Sequence, residues 1–329
     1  MSPPTDLSII IVNWNAGRHL AAALDALYAA QGTLHLETLL IDNASEDDSV
    51  TRVQTQYPQV QIIINHENRG FAAACNQGIA RAQGRYILLL NPDARVPPCA
   101  LQRMMAFMDA HPRVGATGPR LQDARGRVQG GAAGREPDFR TIVCHATLLH
   151  RLSPRQCPGP WLSPDAYRTT SPISVDWVSG ACMMLRRQAL QAAGPLDERF
   201  FMYMEDIELC RRIRGQQYAV MCLPDVHVVH EIGVSARQRG PAFAAEVINA
   251  LDMDLRTRYN RGQTALLHLI AAGGYLLRWL AGPVGGQNRE QTQTQMVYFK
   301  TSLARMVRPA PFTPGPRVSA SIAPDQSEA

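Results

Sequence analysis

The sequence has few cysteines, and none of them form a CxxC pair. Its 329 residues include seven cysteines, an odd number: Cys75, Cys99, Cys144, Cys157, Cys182, Cys210 and Cys222. Zinc sites and disulfide frameworks are recognised by close or regular cysteine spacing, which is lacking here. We therefore expect reduced thiols, as in a cytosolic protein.

The sequence also lacks a secretory leader and a large charge excess. Residues 1–6 lead directly into an apolar run, without the basic segment and long apolar stretch of a signal peptide. This predicts a cytoplasmic protein. The net charge of +5 falls short of a nucleic-acid-binding footprint, so we expect no nucleic-acid partner. A mild excess of arginine suits an anionic small molecule or an anionic membrane surface.

Short apolar runs alternate with helical patterns in the N-terminal third of the chain. The helical patterns cover residues 18–30, 70–82 and 98–111, and the apolar runs cover residues 7–13, 37–42, 61–65, 86–91 and 114–119. This alternation predicts βαβ units and an α/β fold with a doubly wound, mostly parallel sheet. Ligands of such sheets bind beyond the carboxyl ends of the strands, where Asn13, Asp42 and Asn91 stand. A single polar residue there is usually a turn former, but three together favour a binding site.

The rest of the chain is less regular and shows no internal repeats. Residues 120–175 are rich in Gly, Pro, Arg and Ser and are expected to form an irregular excursion that covers a substrate. Strands are predicted within 173–185 and at 217–223 and 226–230, and helices at 187–193 and 205–214, with two more within 241–281. We divide the chain into an α/β domain (1–235), a helical region (236–307) and a disordered tail (308–329).

Seven segments carry a family resemblance. They are VNWNAG (12–17), IDNASEDDS (41–49), ENRGFAAACNQGI (67–79), LLLNPDARV (88–96), VSGACMMLRR (178–187), GPLDERFF (194–201) and FMYMEDIELCRRI (201–213). In this order they resemble the second family of inverting glycosyltransferases, particularly its bacterial rhamnosyltransferase-like branch. The resemblance runs from about residue 7 to residue 230. It implies a GT-A fold, a nucleoside-diphosphate sugar donor and Mg²⁺ or Mn²⁺.

The resemblance implies a metal site at Asp93 and His230. Asp93 stands in the position of the family's aspartate-x-aspartate motif, but the first acidic position is Asn91 here. One carboxylate, donor phosphates and water would then hold the ion, with weaker affinity. Hard oxygen ligands suit Mg²⁺ and Mn²⁺, and Mn²⁺ also tolerates an imidazole. Outside this context, Asn91-Pro92-Asp93 is a turn after a strand, and a lone histidine is usually structural.

The resemblance also implies donor-binding residues. Asp42 matches the family aspartate that binds the nucleobase, Arg69 is expected to reach the base or a phosphate, and Asn76 to help position the donor. Asn13 and Asn91 join this group from the strand ends. Trp177 and the turn around Gly180 are predicted to form part of a sugar pocket, although a tryptophan is as often a core residue. These donor-binding residues are Asn13, Asp42, Arg69, Asn76, Asn91, Asp93, Trp177 and Gly180.

The catalytic base implied by the resemblance is Asp206. It follows Glu205 at the start of a predicted helix, after an aromatic and Met-rich stretch. An inverting transfer needs one carboxylate to remove the acceptor proton, which contributes about 10²–10⁴-fold to the rate. The alternative for an isolated acidic pair is a favourable charge at a helix N-terminus.

An apolar, Arg-flanked stretch at residues 264–281 leaves two alternatives open. With Tyr275 and Trp279 inside it and Arg261 before it, the stretch fits a peripheral helix at the inner face of the membrane. It equally fits docking onto the catalytic domain or onto a homodimer partner. A membrane contact suits a lipid-linked acceptor, as many members of the resembled family use.

The function expected from these observations is an inverting, metal-dependent hexosyltransferase in cell-surface polysaccharide synthesis. The donor sugar suggested by the resemblance is a deoxyhexose such as rhamnose, and the acceptor is a glycan or a lipid-linked molecule. A sugar nucleotidyltransferase would require a Gly-rich, basic signature after the first strand, which VNWNAG lacks. A decayed, non-enzymatic sugar-binding protein is favoured only by Asn91. Asp93, Asp206 and His230 argue against it.

Overall fold

A nine-stranded sheet forms the centre of the computed structural model, which describes residues 5–153, 156–231, 242–281 and 289–310. Its strands are β1 (Leu7–Asn13), β2 (Leu36–Asn43), β3 (Gln61–Asn65), β4 (Tyr86–Leu90), β5 (Ala94–Arg95), β6 (Val114–Gln122), β8 (Ile173–Val175), β10 (Cys182–Arg186) and β11 (Ala219–His230). A separate two-stranded sheet pairs β7 (Ala133–Gly134) with β9 (Trp177–Val178).

One half of the sheet is parallel, and the other half is mixed. The order is β3-β2-β1-β4-β10-β6-β11-β5, with β8 on β11, and β1 to β4 are all parallel to one another. Strand β10 is inserted antiparallel between β4 and β6. Ile9, Ile10 and Ile11 are buried on both faces of β1, as expected for a continuous apolar run in a parallel sheet. The predicted α/β fold with a mostly parallel sheet flanked by helices is confirmed.

Helices cover both faces of the sheet and continue beyond it. They are α1 (Arg18–Ala29), α2 (Ser49–Gln56), α3 (Phe71–Arg81), α4 (Ala100–Ala110), α5 (Phe139–Ala146), α6 (Leu149–Leu152), α7 (Arg187–Ala193), α8 (Glu205–Gly215), α9 (Ala242–Arg258), α10 (Arg261–Ala281) and α11 (Arg289–Val307), with a 3₁₀ turn at Pro164–Arg168. The two helices expected within 241–281 are present as α9 and α10, and α11 adds a third.

One prediction of local structure was wrong, and another was incomplete. The strands expected at 217–223 and 226–230 are one strand, β11, whose pairing with β6 shifts register between Leu223 and His227. Pro224 lies in this irregularity and accounts for the apparent break, because proline interrupts strand pairing. The irregular excursion at 120–175 contains helix α5, which begins with a capping box at Asp138 and Thr141.

A further correction concerns two cysteines. Cys144, in α5, and Cys157 form a disulfide, with their Cα atoms 5.4 Å apart, so the expectation of reduced thiols fails for this pair. The cysteines lie 13 residues apart, a spacing that matches no recognised motif. Only the fold of the excursion brings them together. The other five cysteines are free.

Buried ion pairs join the C-terminal helices to the sheet domain. Asp254 of α9 is fully buried and accepts hydrogen bonds from Arg211 of α8 and, at 2.5 Å, from Arg258. Arg211 also donates to Glu136 at 2.5 Å. No helix in the described ranges is long and apolar enough to span a membrane. The predicted domain boundary at residue 235 and residues 311–329 of the predicted tail lie outside the described residues.

Candidate active site

A cavity of about 510 Å³ opens beyond the carboxyl ends of the parallel strands. Ligands bind to α/β sheets in this place, and the volume is typical of ligand pockets. Six of the predicted site residues line it together: Asn91, Asp93, Trp177, Gly180, Asp206 and His230. The other four, Asn13, Asp42, Arg69 and Asn76, are not among its lining residues.

Asp93 and His230 meet in this cavity. Strand β5 pairs antiparallel with the end of β11, placing His230 opposite Ala94. As a result, Nε2 of His230 lies 3.2 Å from Oδ1 of Asp93 and 3.2 Å from the side-chain amide of Asn91. A 3.1 Å hydrogen bond from the backbone N–H of Glu231 to the carbonyl of Asp93 also joins these two segments.

The separation of these two ligand atoms suits a divalent ion. Neighbouring ligands of an octahedral ion at about 2.1 Å lie roughly 3.0 Å apart, close to the 3.2 Å observed. No cluster of three or more His, Cys, Asp or Glu side chains with metal-binding geometry exists among the described residues. Asp93 and His230 are thus the two side chains here whose atoms have the spacing of ligands to one ion. A carboxylate and an imidazole fit Mn²⁺ and, with less preference for the nitrogen, Mg²⁺.

Gln129 completes this corner of the cavity and was missed by the sequence reasoning. Its Oε1 lies 2.9 Å from Nδ1 of His230, and its Nε2 donates to the carbonyl of the same histidine. An acceptor at Nδ1 fixes the imidazole tautomer so that Nε2 can serve as a ligand. Gln129 lies in the irregular excursion, where no pattern in the sequence distinguishes it.

Asp206 stands at the start of α8 and is held by backbone donors. Its Oδ2 accepts from the N–H of Gly180 at 3.1 Å, and its Oδ1 accepts from the N–H of Ile207 at 2.8 Å. The preceding residues Tyr203 and Met204 have positive φ angles of 70° and 72°. Two successive non-glycine residues in this region are strained, a state that is found mainly at functional sites. This turn directs the carboxylate into the cavity.

The electrostatic environment separates the two acids of the pair. Burial raises the pKa of Glu205 well above its usual value, and the neighbouring Asp206 raises it further. Glu205 is buried, and its Oε2 makes no hydrogen bond with the described residues. Burial also raises the pKa of Asp206, but hydrogen bonds from Gly180 and Ile207 oppose this. Asp206 is therefore the better ionised of the two and the better placed to accept a proton.

Asn13 and Asp42 form a buried network below the cavity. Asn13 donates from Nδ2 to Asp42 at 2.8 Å, to Ser49 at 2.8 Å and to Ser45 at 3.0 Å. The other carboxylate oxygen of Asp42 accepts from the N–H of Ser45 at 3.0 Å. Their chain neighbours Val12, Trp14 and Asn43 line the cavity. The strand ends thus meet at one edge of the sheet, as the sequence predicted, with the polar pair one layer below the surface.

The remaining three donor-site predictions have different surroundings. Asn76 uses both ends of its amide to hold the backbone of Leu196, at 2.9 Å in each direction. Arg69 is half-buried in the loop before α3. Trp177 is buried against the cavity, and its indole N–H donates to the carbonyl of Arg135 at 2.9 Å. It therefore belongs both to the core and to the cavity wall.

Gly70 locks the loop before α3 to the segment before Asp206. It has a φ of +81°, and an added Cβ would lie 2.5 Å from the carbonyl oxygen of Phe201. The N–H of Phe71 donates to that same carbonyl at 2.7 Å. Only glycine combines this conformation with so close an approach. The contact brings the segments 67–79 and 194–201 together at the cavity.

Comparison with known proteins agrees with this architecture. The sequence pattern of Glycosyl transferase family 2 matches residues 8–193. An N-acetylglucosaminyl-diphospho-decaprenol L-rhamnosyltransferase of Mycobacterium tuberculosis is 30% identical over 239 residues, which cover 68% of this chain and 75% of the relative. The low-salt glycan biosynthesis hexosyltransferase Agl10 of Haloferax volcanii is 24% identical over 233 residues, covering 68% and 67% of the two chains.

The fold has a counterpart among solved structures. A mannosyltransferase of Pyrobaculum calidifontis, solved with GDP-Man and Mn²⁺, superposes with a TM-score of 0.57 at 17% identity. The superposition covers 93% of this chain and 88% of the other. The family match extends over more than half of the sequence, and more than half of the residues that line the cavity fall within it. The chain belongs to glycosyl transferase family 2.

Proposed function

We propose that this protein is an inverting, metal-dependent glycosyltransferase that moves a sugar from a nucleoside diphosphate to a lipid-linked or glycan acceptor. One observation carries the proposal: the carboxylate of Asp206 and the Asp93–His230 pair line the same cavity. A base and an ion-binding pair are the two elements that a single displacement at the sugar carbon requires.

Asp206 performs the proton transfer in this scheme. Its carboxylate accepts the proton of the acceptor hydroxyl as that oxygen forms a bond to the anomeric carbon. The bond between that carbon and the diphosphate oxygen breaks, and the diphosphate leaves with the electron pair. One attack from the face opposite the leaving group inverts the configuration. The backbone N–H groups of Gly180 and Ile207 hold the carboxylate in position for this step.

Asp93 and His230 would hold the ion, and Gln129 orients the imidazole through its contact with Nδ1. Bound there, Mg²⁺ or Mn²⁺ stabilises the charge that develops on the diphosphate as a Lewis acid. Asn91 lies 3.2 Å from His230 and supplies a neutral amide where a second carboxylate would add charge. The donor phosphates therefore contribute a larger share of the negative charge around the ion.

Asp42, Asn13, Arg69 and Asn76 support the donor in this proposal. Asp42 belongs to the nucleobase end of this site: it is buried, is held by Asn13 through the 2.8 Å hydrogen bond, and supports the neighbouring residues that line the cavity. Arg69 contacts the base or a phosphate of the donor. Asn76 acts at a distance, by holding Leu196 and the segment that leads to Asp206.

The nature of the sugar and the acceptor comes from similarity to relatives. The M. tuberculosis relative transfers L-rhamnose to N-acetylglucosaminyl-diphospho-decaprenol, as its name states. We therefore propose a deoxyhexose such as rhamnose as the donor sugar, and a lipid-diphosphate-linked sugar as the acceptor. The product would enter cell-surface polysaccharide synthesis at the inner face of the membrane.

Nucleotide release tests the proposal. The purified full-length protein is incubated with thymidine-, uridine- and guanosine-diphosphate sugars, with Mg²⁺ or Mn²⁺ and then with chelator. We expect release from one donor, lost with chelator. Asp206→Asn should reduce release by about 10²–10⁴-fold, and Asp93→Ala should abolish the response to metal.

Asp165→Asn is the matched control, because Asp165 is exposed and, among the described residues, its ion pair is with the exposed Arg168. It should leave the rate unchanged. Donor binding, measured by calorimetry with metal present, separates a lack of acceptor from a lack of function. A protein that binds none of the donors contradicts the proposal and favours a decayed site instead.

A further inference from the structure

One side of the cavity, which we call the branch, is walled by α5 and by the C-terminal helices α9 and α10. Met204 and Ile207, on either side of Asp206, belong to one apolar cluster with Ala250 and Leu251 of α9. The wall of the branch is apolar and is formed by Ile142, Val247, Ile248, Leu251, Ala271 and Tyr275. A charged diphosphate and a hydroxylated sugar find no hydrogen-bond partners on such an apolar surface. The branch therefore suits a hydrocarbon chain.

A cation interrupts this apolar wall. Arg278 of α10 lines the cavity half-buried, and its guanidinium donates to the backbone carbonyl of His145. The His145 ring contacts the edge of Trp161, with ring centroids 5.0 Å apart. A guanidinium at the boundary of an apolar channel complements a phosphate or diphosphate group through charge-assisted hydrogen bonds. An apolar channel beside a fixed cation matches an amphiphile with an anionic head.

Helix α10 is apolar on its outer face too. Four leucines, Leu266, Leu269, Leu277 and Leu280, are exposed by 46% to 59% on the side opposite Ala271 and Tyr275. Gly273 lies between them with open space around it. This exposed leucine face is distinct from the face of α10 that lines the cavity.

We infer that this branch is the binding site for the hydrocarbon chain of a lipid-diphosphate acceptor, with Arg278 at the diphosphate. The inference rests on the proposed function and extends it by assigning the acceptor's lipid to α5, α9 and α10. The sugar at the other end of the diphosphate then faces Asp206. Recognition depends on chain length, since a short isoprenoid leaves most of the apolar wall uncovered.

Isoprenoid diphosphates of different length provide the test. Binding of farnesyl diphosphate, with fifteen carbons, and isopentenyl diphosphate, with five, is measured by calorimetry on the full-length protein, below micelle-forming concentrations. We expect the longer compound to bind at least about 10-fold tighter, since each buried methylene adds to affinity. Equal affinities overturn the inference. This comparison uses the wild-type protein, so it tests the inference even if a variant fails to fold.

Two variants on opposite faces of α10 locate the site. Ala271→Phe fills the branch and should lower the affinity for farnesyl diphosphate by at least about 10-fold, to that of the short compound. Leu269→Phe adds an aromatic ring on the outer face and should leave both affinities unchanged. Equal losses in the two variants would indicate adsorption to the protein surface and reject the cavity site. Melting curves establish that each variant is folded.

Arg278→Gln should weaken both compounds by the same factor, because it removes the cation assigned to the diphosphate and leaves the apolar wall of the branch in place. These measurements need no sugar donor, so they can fail or succeed independently of the nucleotide-release assay. A chain-length effect without donor binding would reject the proposed function and keep the lipid site. Donor-dependent release without a chain-length effect would reject the lipid site alone.

Discussion

Nε2 of His230 lies 3.2 Å from Oδ1 of Asp93, although the two residues come from distant parts of the chain. The short strand β5 produces this contact, because its antiparallel pairing with β11 sets Ala94 opposite His230. Gln129 then fixes the far side of the imidazole at 2.9 Å. Three segments without sequence continuity thus form one corner of the cavity.

Replacing Gln129 tests whether that corner depends on its support. In Gln129→Leu, His230 loses its Nδ1 partner, and we expect the Mn²⁺ concentration for half-maximal nucleotide release to rise by about 10–100-fold. The maximal rate at saturating metal should change little. Gln129→Glu keeps an acceptor for Nδ1 and should recover part of the affinity. An unchanged metal requirement in Gln129→Leu would argue against His230 as a ligand.

The pH dependence of kcat/KM should report the pKa of Asp206. A general base acts only when it is deprotonated, so the rate falls as the pH drops through its pKa. Burial raises this pKa. The acidic limb should therefore lie above the usual aspartate value of about 3.9. The residual activity of Asp206→Asn should lack this limb, and a limb at the same pH in that variant would assign the base elsewhere.

Glu205→Gln should alter the pH dependence of stability. Burial raises the pKa of Glu205 in the folded state, so its contribution to stability is complete below the unfolded pKa and is lost as the pH rises through the folded one. Glutamine does not titrate. Relative to wild type, the variant should gain up to about 1.4 kcal/mol of unfolding free energy per pH unit in that window. Chemical denaturation at pH 4 and pH 8 measures it, and a constant difference would contradict a neutral Glu205.

Gly70→Ala should destabilise the fold where the two loop segments meet. The substitution places a Cβ 2.5 Å from the Phe201 carbonyl at a φ of +81°, which we expect to cost about 1–3 kcal/mol. Gly215→Ala is the control, since a Cβ there meets nothing within 4 Å. At the end of α8 this control should be neutral or stabilise by up to about 1 kcal/mol. Denaturant midpoints compare the two, and equal effects would show that the contact with Phe201 is unimportant.

The disulfide between Cys144 and Cys157 can be counted directly. Alkylation of the unfolded, unreduced protein should modify five cysteines, and prior reduction should expose seven. Closing a loop of this length stabilises a protein by about 3 kcal/mol in the chain-entropy account. Cys144→Ser with Cys157→Ser should therefore melt at a lower temperature than the oxidised protein. Seven alkylated thiols without reduction would restore the expectation of a reduced chain.

Local pattern predicted much of the sheet. Continuous β-branched runs at 7–13 and 61–65 became strands with those same limits, since burial on both faces of a parallel strand leaves a clear trace in composition. The strand ends at Asn13, Asp42 and Asn91 were recognisable because polar residues end apolar runs. The motif order then indicated the family and six residues that line one cavity.

Other features depended on long-range packing. The single strand β11 looked like two because Pro224 breaks its pattern, yet the sheet continues past the irregularity through pairing with β6. Gln129, the disulfide and the apolar branch around Ala271 arise where the excursion and the C-terminal helices meet the domain. The arrangement of side chains there depends on contacts with residues distant in the chain. Such contacts leave no periodic pattern in the sequence.

The sequence by itself thus determined the α/β sheet and the family and indicated the acidic residues that we propose for the chemistry, because short-range hydrophobic patterns and ordered motifs carry that information. The tertiary structure decided which polar groups reach the cavity, which lie beneath it, and what surrounds them. Asp42 and Asp206 each lie in a segment that carries the family resemblance, and the sequence alone does not distinguish their surroundings. Packing buries one below the cavity in a hydrogen-bonded network and places the other at the cavity wall.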